Sequence, residues 1–158
     1  MGASEPILHL VLVQPEIPPN TGNVGRLCLG IGARLHVVHP IAFSMDDKAV
    51  RRAGLDYWKH VDLQEHASLD AFRAWAEGRR TFLFSSHGTA VHTAPTYQAG
   101  DVLIFGRETK GLPKDWVEAE GGYRIPMSGE IRSLNLSNAV AVVAYTALQQ
   151  AAPERFEA

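Results

Sequence analysis

Apolar residues along this chain come in two rhythms. Runs over 7–13, 35–38, 81–84 and 102–105 are mostly apolar and bounded by polar residues, glycine or proline, the pattern of strands covered on both faces. Between them the apolar positions recur every three or four residues. Val24, Leu27, Cys28 and Ile31 predict a helix over 21–31, with Asn20 as its cap after Pro18 and Pro19, and Gly32 as its stop. Ser44, with Asp47 three positions on, predicts a capping box opening a short helix through Ala53. Ser68 caps a third, with Leu69, Phe72, Trp75 and Ala76 on one face before Gly78. A helical turn is expected between Pro113 and Gly121, and a last short strand over 123–125.

Residues 123–148 break the rhythm. Ser128, Gly129, Glu130, Arg132, Ser133, Asn135, Ser137 and Asn138 run without a linker into a stretch that is apolar from 139 to 148 except for Thr146. That length favours a helix, capped by Ser133 or Asn135 and halted by Pro153, although it is about half the roughly 20 residues a membrane span requires. A helix apolar all round is buried on all sides, in a core or against a second subunit.

Strands alternating with helices predict an α/β fold, a mainly parallel sheet sandwiched by helices. Ligands in such sheets bind beyond the carboxyl ends of the strands, so the loops at 14–22, 85–95, 106–112 and 126–135 are the places to look. At 158 residues, without repeats or a candidate linker, the chain reads as a single domain over 1–158 with flexible tails at 1–6 and 152–158. One cysteine, Cys28, excludes an internal disulfide and sits in LCLGIG like a small buried hydrophobe, which places the protein in the cytoplasm. MGASEP lacks the build of a signal peptide, and Pro6 stands where a myristoylation signal wants Ser or Thr. A net charge of −2 gives no global pull on nucleic acid, so any such contact must be a local patch.

Three segments carry candidate chemistry. The first, NTGNVGR at 20–26, lacks the glycine spacing of a dinucleotide fingerprint; Asn20 and Arg26 read equally as a cap and a solvated arginine. In LIFGRETKGL at 103–112 a buried strand breaks at Gly106, which lets a ligand approach the backbone, and Glu108 is placed to orient an arginine or accept a hydroxyl; a polar surface turn is the plain alternative. The third, RIPMSGEIRSLNLSNAVAV at 124–142, offers more hydroxyl and amide groups than capping uses. KAVRRAGLDYWK at 48–59 adds four basic residues, Lys48, Arg51, Arg52 and Lys59, beside Tyr57 and Trp58, suited to phosphate contact and base stacking or to an aromatic docking on the core. His36 and His39, or His87 and His92, lack partners at metal spacing, so no metal is expected.

Taken in order, these three motifs resemble those of the SpoU branch of the SPOUT RNA 2′-O-methyltransferases. PEIPPNTGN and DDKAVRRAGLDYW narrow the likeness, which covers about 7–150, to the minimal bacterial type acting on the wobble nucleotide of tRNA, cytidine or modified uridine. The resemblance implies a deep C-terminal trefoil knot, a homodimer, S-adenosylmethionine as cofactor and the tRNA anticodon stem-loop as partner. Carried over by position, Phe84, Gly106, Ile125, Ser133 and Leu134 would hold the cofactor, and Arg26, Asn20, Glu108 and Asn135 would be catalytic. The helices at 21–31 and 135–150 would form the dimer. Rival readings are a 2′-O-methyltransferase for another RNA position, a nicotinamide or flavin enzyme, which lacks its fingerprint, and a non-catalytic RNA-binding module of the same fold.

Overall fold

The computed structural model describes residues 5–46 and 48–158, and of residues 52–56 the backbone alone. The elements run β1 (His9–Val13), α1 (Pro18–Ile31), β2 (Arg34–Val38), α2 (Lys48–Gly54), a 3-10 turn (Leu55–His60), β3 (Leu63–His66), α3 (Leu69–Ala76), β4 (Thr81–Phe84), β5 (Ala90–Val91), β6 (Val102–Phe105), α4 (Lys114–Glu120), β7 (Tyr123–Arg124), α5 (Leu136–Ala151) and a second 3-10 turn (Pro153–Phe156). The strands form one seven-stranded sheet in the order β3-β2-β1-β6-β4-β7-β5, parallel at every pairing. Helices cover both faces, as the alternating pattern predicts.

Side chains alternate across each strand, so one sheet makes two cores. Leu8, Leu10, Leu12, Leu35, Val37, Leu103 and Phe105 point to a core shared with Val24, Cys28 and Ile31 of α1, Trp58, and Val140, Val143, Ala144 and Ala147 of α5. Val11, Val13, Val38, Val102 and Ile104 point the other way, onto Phe72 of α3 and Trp116 and Val117 of α4. That second face also carries a chain of buried rings. His9 Nδ1 lies 2.8 Å from His36 Nε2, whose own Nδ1 lies 2.9 Å from His66 Nε2, with Trp75 packed over all three.

Two local expectations are revised. Asn20 is not the cap of α1: the helix starts two residues earlier, at Pro18, because proline has a helical φ and no N–H to leave unpaired in the first turn. Asn20 is thereby turned inward, 5% exposed. The Ser44 hydroxyl accepts from the N–H of Asp46, while the Asp47 half of the expected capping box lies outside the described residues. β3 and β5 are additions to the expected strands: LQEH has no apolar run, and a two-residue strand has no period to detect.

The ends also differ. Residues 152–158 are not a free tail: Ala152 is buried and Arg155 Nη1 donates to the carbonyl of Ile31 at 2.7 Å. Of the expected N-terminal tail, 1–4 lie outside the described residues, while Pro6 is buried and Ile7 donates to Gly32. Cys28 is buried, and burial pushes its thiol pKa up. α5 is not buried all round within one chain, since Val142 and Tyr145 are 39% and 49% exposed.

Near the end of the chain, β7 is inserted between β4 and β5. The backbone of 85–92 brackets it, Ser85 donating to Tyr123, Thr89 to Gly122 and His92 to Arg124. Where the two segments cross, a Cβ on Gly88 would lie within 2.8 Å of three backbone atoms of Tyr123 and Arg124, so only glycine fits.

Candidate active site

The cleft of interest opens beyond the carboxyl ends of β4, β6 and β7, as the parallel sheet predicts. Its floor is apolar, made by Phe84, Phe105, Tyr123, Ile125, Leu134 and Leu136, with the Phe84 and Phe105 rings stacked 5.1 Å apart. Its rim is polar: Ser85, Arg107, Glu108, Lys110, Arg132 and Ser133. All five residues expected to hold a cofactor, Phe84, Gly106, Ile125, Ser133 and Leu134, line this one space. Three of the four anticipated loops supply it. A second hollow lies across the 107–111 loop, toward α4, over Val13, Leu112 and Val117.

Gly106 has a reason other than the one its sequence suggests. A Cβ there would collide with the backbone of Gly111 and Leu112, because residues 107 and 111 bridge each other and fold the loop back on the strand end. The glycine admits the returning chain, and it also lines the cleft.

The fourth loop, 14–17, is fastened to this one by two carboxylates. Glu108 accepts from the backbone N–H groups of Glu16 at 2.7 Å and Ile17 at 2.8 Å, and from Asn20 Nδ2 at 3.1 Å. It thus serves as a cap supplied from outside the helix, a negative charge at the N-terminus of α1 where Pro18 and Pro19 have no N–H to offer. In return, Glu16 accepts from the N–H and hydroxyl of Thr109, at 3.0 and 2.7 Å, and the Thr109 bonds hold its carboxyl below the usual range. Nothing in the sequence pairs Glu16 with Thr109, 93 positions apart. Both Glu108 oxygens are engaged within the chain, so the carboxylate expected to orient an arginine or accept a hydroxyl holds the start of α1 and Asn20.

Asn135 caps α5, its Oδ1 accepting from the N–H of Ser137 at 3.0 Å and its hydroxyl at 2.7 Å, and so sets the direction of the chain leaving Ser133 and Leu134. Arg26 is not brought into the cleft of its own chain. It stands exposed on α1, six residues past Asn20 and so about 9 Å further along the axis, with its guanidinium 5.5 Å from the centre of the Tyr57 ring.

On the basic segment, Lys48 and Lys59 are exposed and Arg51 pairs with Asp46 at 3.0 Å, while the side chain of Arg52 lies outside the described residues. Trp58 is buried against α1, which removes it from base stacking. Among the described residues no group of three or more His, Cys, Asp or Glu is placed to hold a metal ion, and no helix is long and apolar enough to cross a membrane.

Beyond the geometry, residues 7–145 match the sequence model of the SpoU rRNA Methylase family. The chain belongs to that family. Among SpoU proteins it is 49% identical over 147 residues to the tRNA (cytidine(34)-2'-O)-methyltransferase of Escherichia coli K12, covering 91% of this chain and 94% of that one. A solved structure described as giving insights into the 2-OH methylation of C/U34 on tRNA superposes with a TM-score of 0.88 at 46% identity, covering 92% of this chain and 96% of that one. The SpoU methyltransferase AviRb of Streptomyces viridochromogenes, solved with the cofactor AdoMet, gives 0.79 at 26% identity and covers 94% of this chain but 59% of that one.

Proposed function

We propose that this protein is an S-adenosylmethionine-dependent methyltransferase that methylates the ribose 2′-O of nucleotide 34, cytidine or uridine, in the anticodon loop of tRNA. The observation that carries it is the convergence of all five expected cofactor residues on one cleft in a SpoU chain, beside a relative of 49% identity named for that reaction. The cleft suits the cofactor chemically. Stacked Phe84 and Phe105 with Ile125 and Leu134 offer an apolar slot for an adenine, and the polar rim offers partners for ribose hydroxyls and an amino-acid end. When bound, S-adenosylmethionine supplies a methyl group on a sulfonium.

The protein must then place a ribose hydroxyl in line and ease the charge that grows on its oxygen. Arg26 takes that role. Its guanidinium is permanently charged, so it stabilises developing negative charge and holds the neighbouring phosphate instead of accepting the proton, which passes to water. Asn20, Glu108 and Asn135 hold the loops that shape the cleft. Lys48, Arg51, Arg52 and Lys59 serve as phosphate anchors beside the anticodon.

The reading includes a homodimer, and three observations support it. α1 and α5 pack against one another and leave Leu29, Val142 and Tyr145 exposed. Arg26, on the same α1, is outside the cleft of its own chain, so a partner's copy completes each site. The reading also includes the trefoil knot, supported by β7 lying between β4 and β5 with the crossing at Gly88 too tight for any side chain. We place the protein in the cytoplasm, as a single catalytic domain.

The test is incubation with labelled S-adenosylmethionine and bulk tRNA, followed by identification of the methylated nucleoside and its position. A 2′-O-methylated nucleotide 34 is expected; absence of any 2′-O-methyl product rejects the reading.

A further inference from the structure

We propose that Tyr57 is the positioning residue for Arg26, and that Trp58 and Gly25 form the latch that keeps it there. The inference rests on the reading in which Arg26 acts at the ribose. A long exposed arginine on a helix samples many rotamers, whereas a cation that meets a developing charge has to be in place beforehand. Among the described residues, the guanidinium of Arg26 lies over Tyr57, 5.5 Å from the ring centre. Stacking covers one face of the guanidinium plane and leaves its in-plane N–H groups to meet anionic oxygens.

What fixes Tyr57 is its neighbour. Trp58 is 9% exposed and seated on Gly25, the residue just before Arg26, so closely that a Cβ on Gly25 would collide with the indole. Gly25 is therefore a notch in α1, and the 3-10 turn is keyed into it at the position adjoining the arginine. The carbonyl of Trp58 also accepts from Val61 at 3.0 Å, closing the turn before β3. Arg26, Gly25, Tyr57 and Trp58 thus make one unit from two stretches of sequence 32 positions apart.

The experiment compares full-length wild type, Tyr57→Leu and Tyr57→Phe, alone and combined with Arg26→Ala, by single-turnover methyl transfer to an anticodon stem-loop. Cofactor calorimetry, thermal melting and the 15N relaxation of the Arg26 Nε–H are recorded beside it. Tyr57→Leu should lower the transfer rate roughly 10- to 100-fold, leave cofactor affinity and melting unchanged and loosen the Arg26 signal. Tyr57→Phe keeps the ring and should restore both the rate and the ordered signal. In the Arg26→Ala background Tyr57→Leu should do nothing further. A Tyr57→Leu enzyme with wild-type rate, or with an Arg26 signal as ordered as before, overturns the inference. A wild type that transfers no methyl group to this RNA overturns the functional reading instead, and the relaxation data still decide whether Tyr57 holds Arg26.

Discussion

Glu108 is held where a helix start needs a negative charge, and that decides how its substitution reads out. Replacing it by Ala removes the acceptors of two backbone N–H groups and the anchor of Asn20, so stability should fall by about 1–3 kcal/mol, with weaker cofactor binding as the loops separate. Denaturant unfolding and calorimetry check both; unchanged stability with lost transfer would return Glu108 to a role in the chemistry. Arg26→Ala should behave in the opposite way, keeping cofactor affinity while transfer falls by about 100-fold or more. Methylation near the wild-type rate would remove Arg26 from the mechanism. The identities of these residues were legible in the sequence, through the ordered motifs, but their partners were not. Asn20 reads as a cap and is a strut, Gly106 reads as room for a ligand and is also room for the returning chain, and Glu16 carries no local signal. Asn20 and Glu16 depend on contacts about 90 positions away, and Gly106 on the way its loop folds back, which local spacing does not encode.

Elements with a strong period were legible: β1, β2, β4, β6, α1, α3 and α5 fall within a few residues of where their apolar positions put them. The row of histidines was not, because it needs the pairing of β1, β2 and β3 as well as the alternation within each. Burial pushes His9 down to about 4, aided by Arg34 and Arg79 against Asp62; burial and the neighbouring rings push His36 to about 2, and burial lowers His66. Unfolded histidine titrates near 6.5, so the unfolded chain takes up protons that the folded rings refuse. Stability should be full above pH 6.5 and fall as the pH drops below it. Each proton contributes about 1.4 kcal/mol per pH unit, measured by denaturant unfolding between pH 6.5 and 5, above most carboxylate titration. A flat profile would mean that the rings accept protons while folded. On the opposite face, α2 and the turn after it present Lys48 and Lys59 to solvent. Replacing both by Ala should flatten the plot of log tRNA affinity against log salt by up to about 0.7–0.9 per lost phosphate contact, whereas Arg51, already paired with Asp46, should contribute less.

At the scale of the whole molecule, alternation of strands and helices made the sheet legible, but the order β4-β7-β5 was beyond it. Periodicity says that 123–124 is extended, not that it lies between two earlier strands; Gly88 marks that close approach, yet a lone glycine between His87 and Thr89 reads as any turn. The exposed face of α5 has the same logic. Ten residues that look buried all round are half covered in one chain, and the sequence did not say whether a second copy or a thicker core covers the rest. The dimer in our reading makes a prediction that separates a shared site from a private one. Arg26→Ala spoils the arginine and spares the cleft, while Leu134→Trp fills the cleft and spares the arginine. Each homodimer should be inactive. If every site lies within one chain, mixing the two leaves each site with one defect and no transfer. If a partner supplies Arg26, the mixed dimer has one site with both defects and one with neither, because the intact cleft of the first chain meets the intact arginine of the second. Co-expressed, differently tagged variants purified as heterodimers should therefore recover methyl transfer to tRNA, at about half the wild-type rate per dimer on this counting of sites. No recovery in a verified heterodimer would confine the site to one chain and require Arg26 to reach the cleft by a movement of α1.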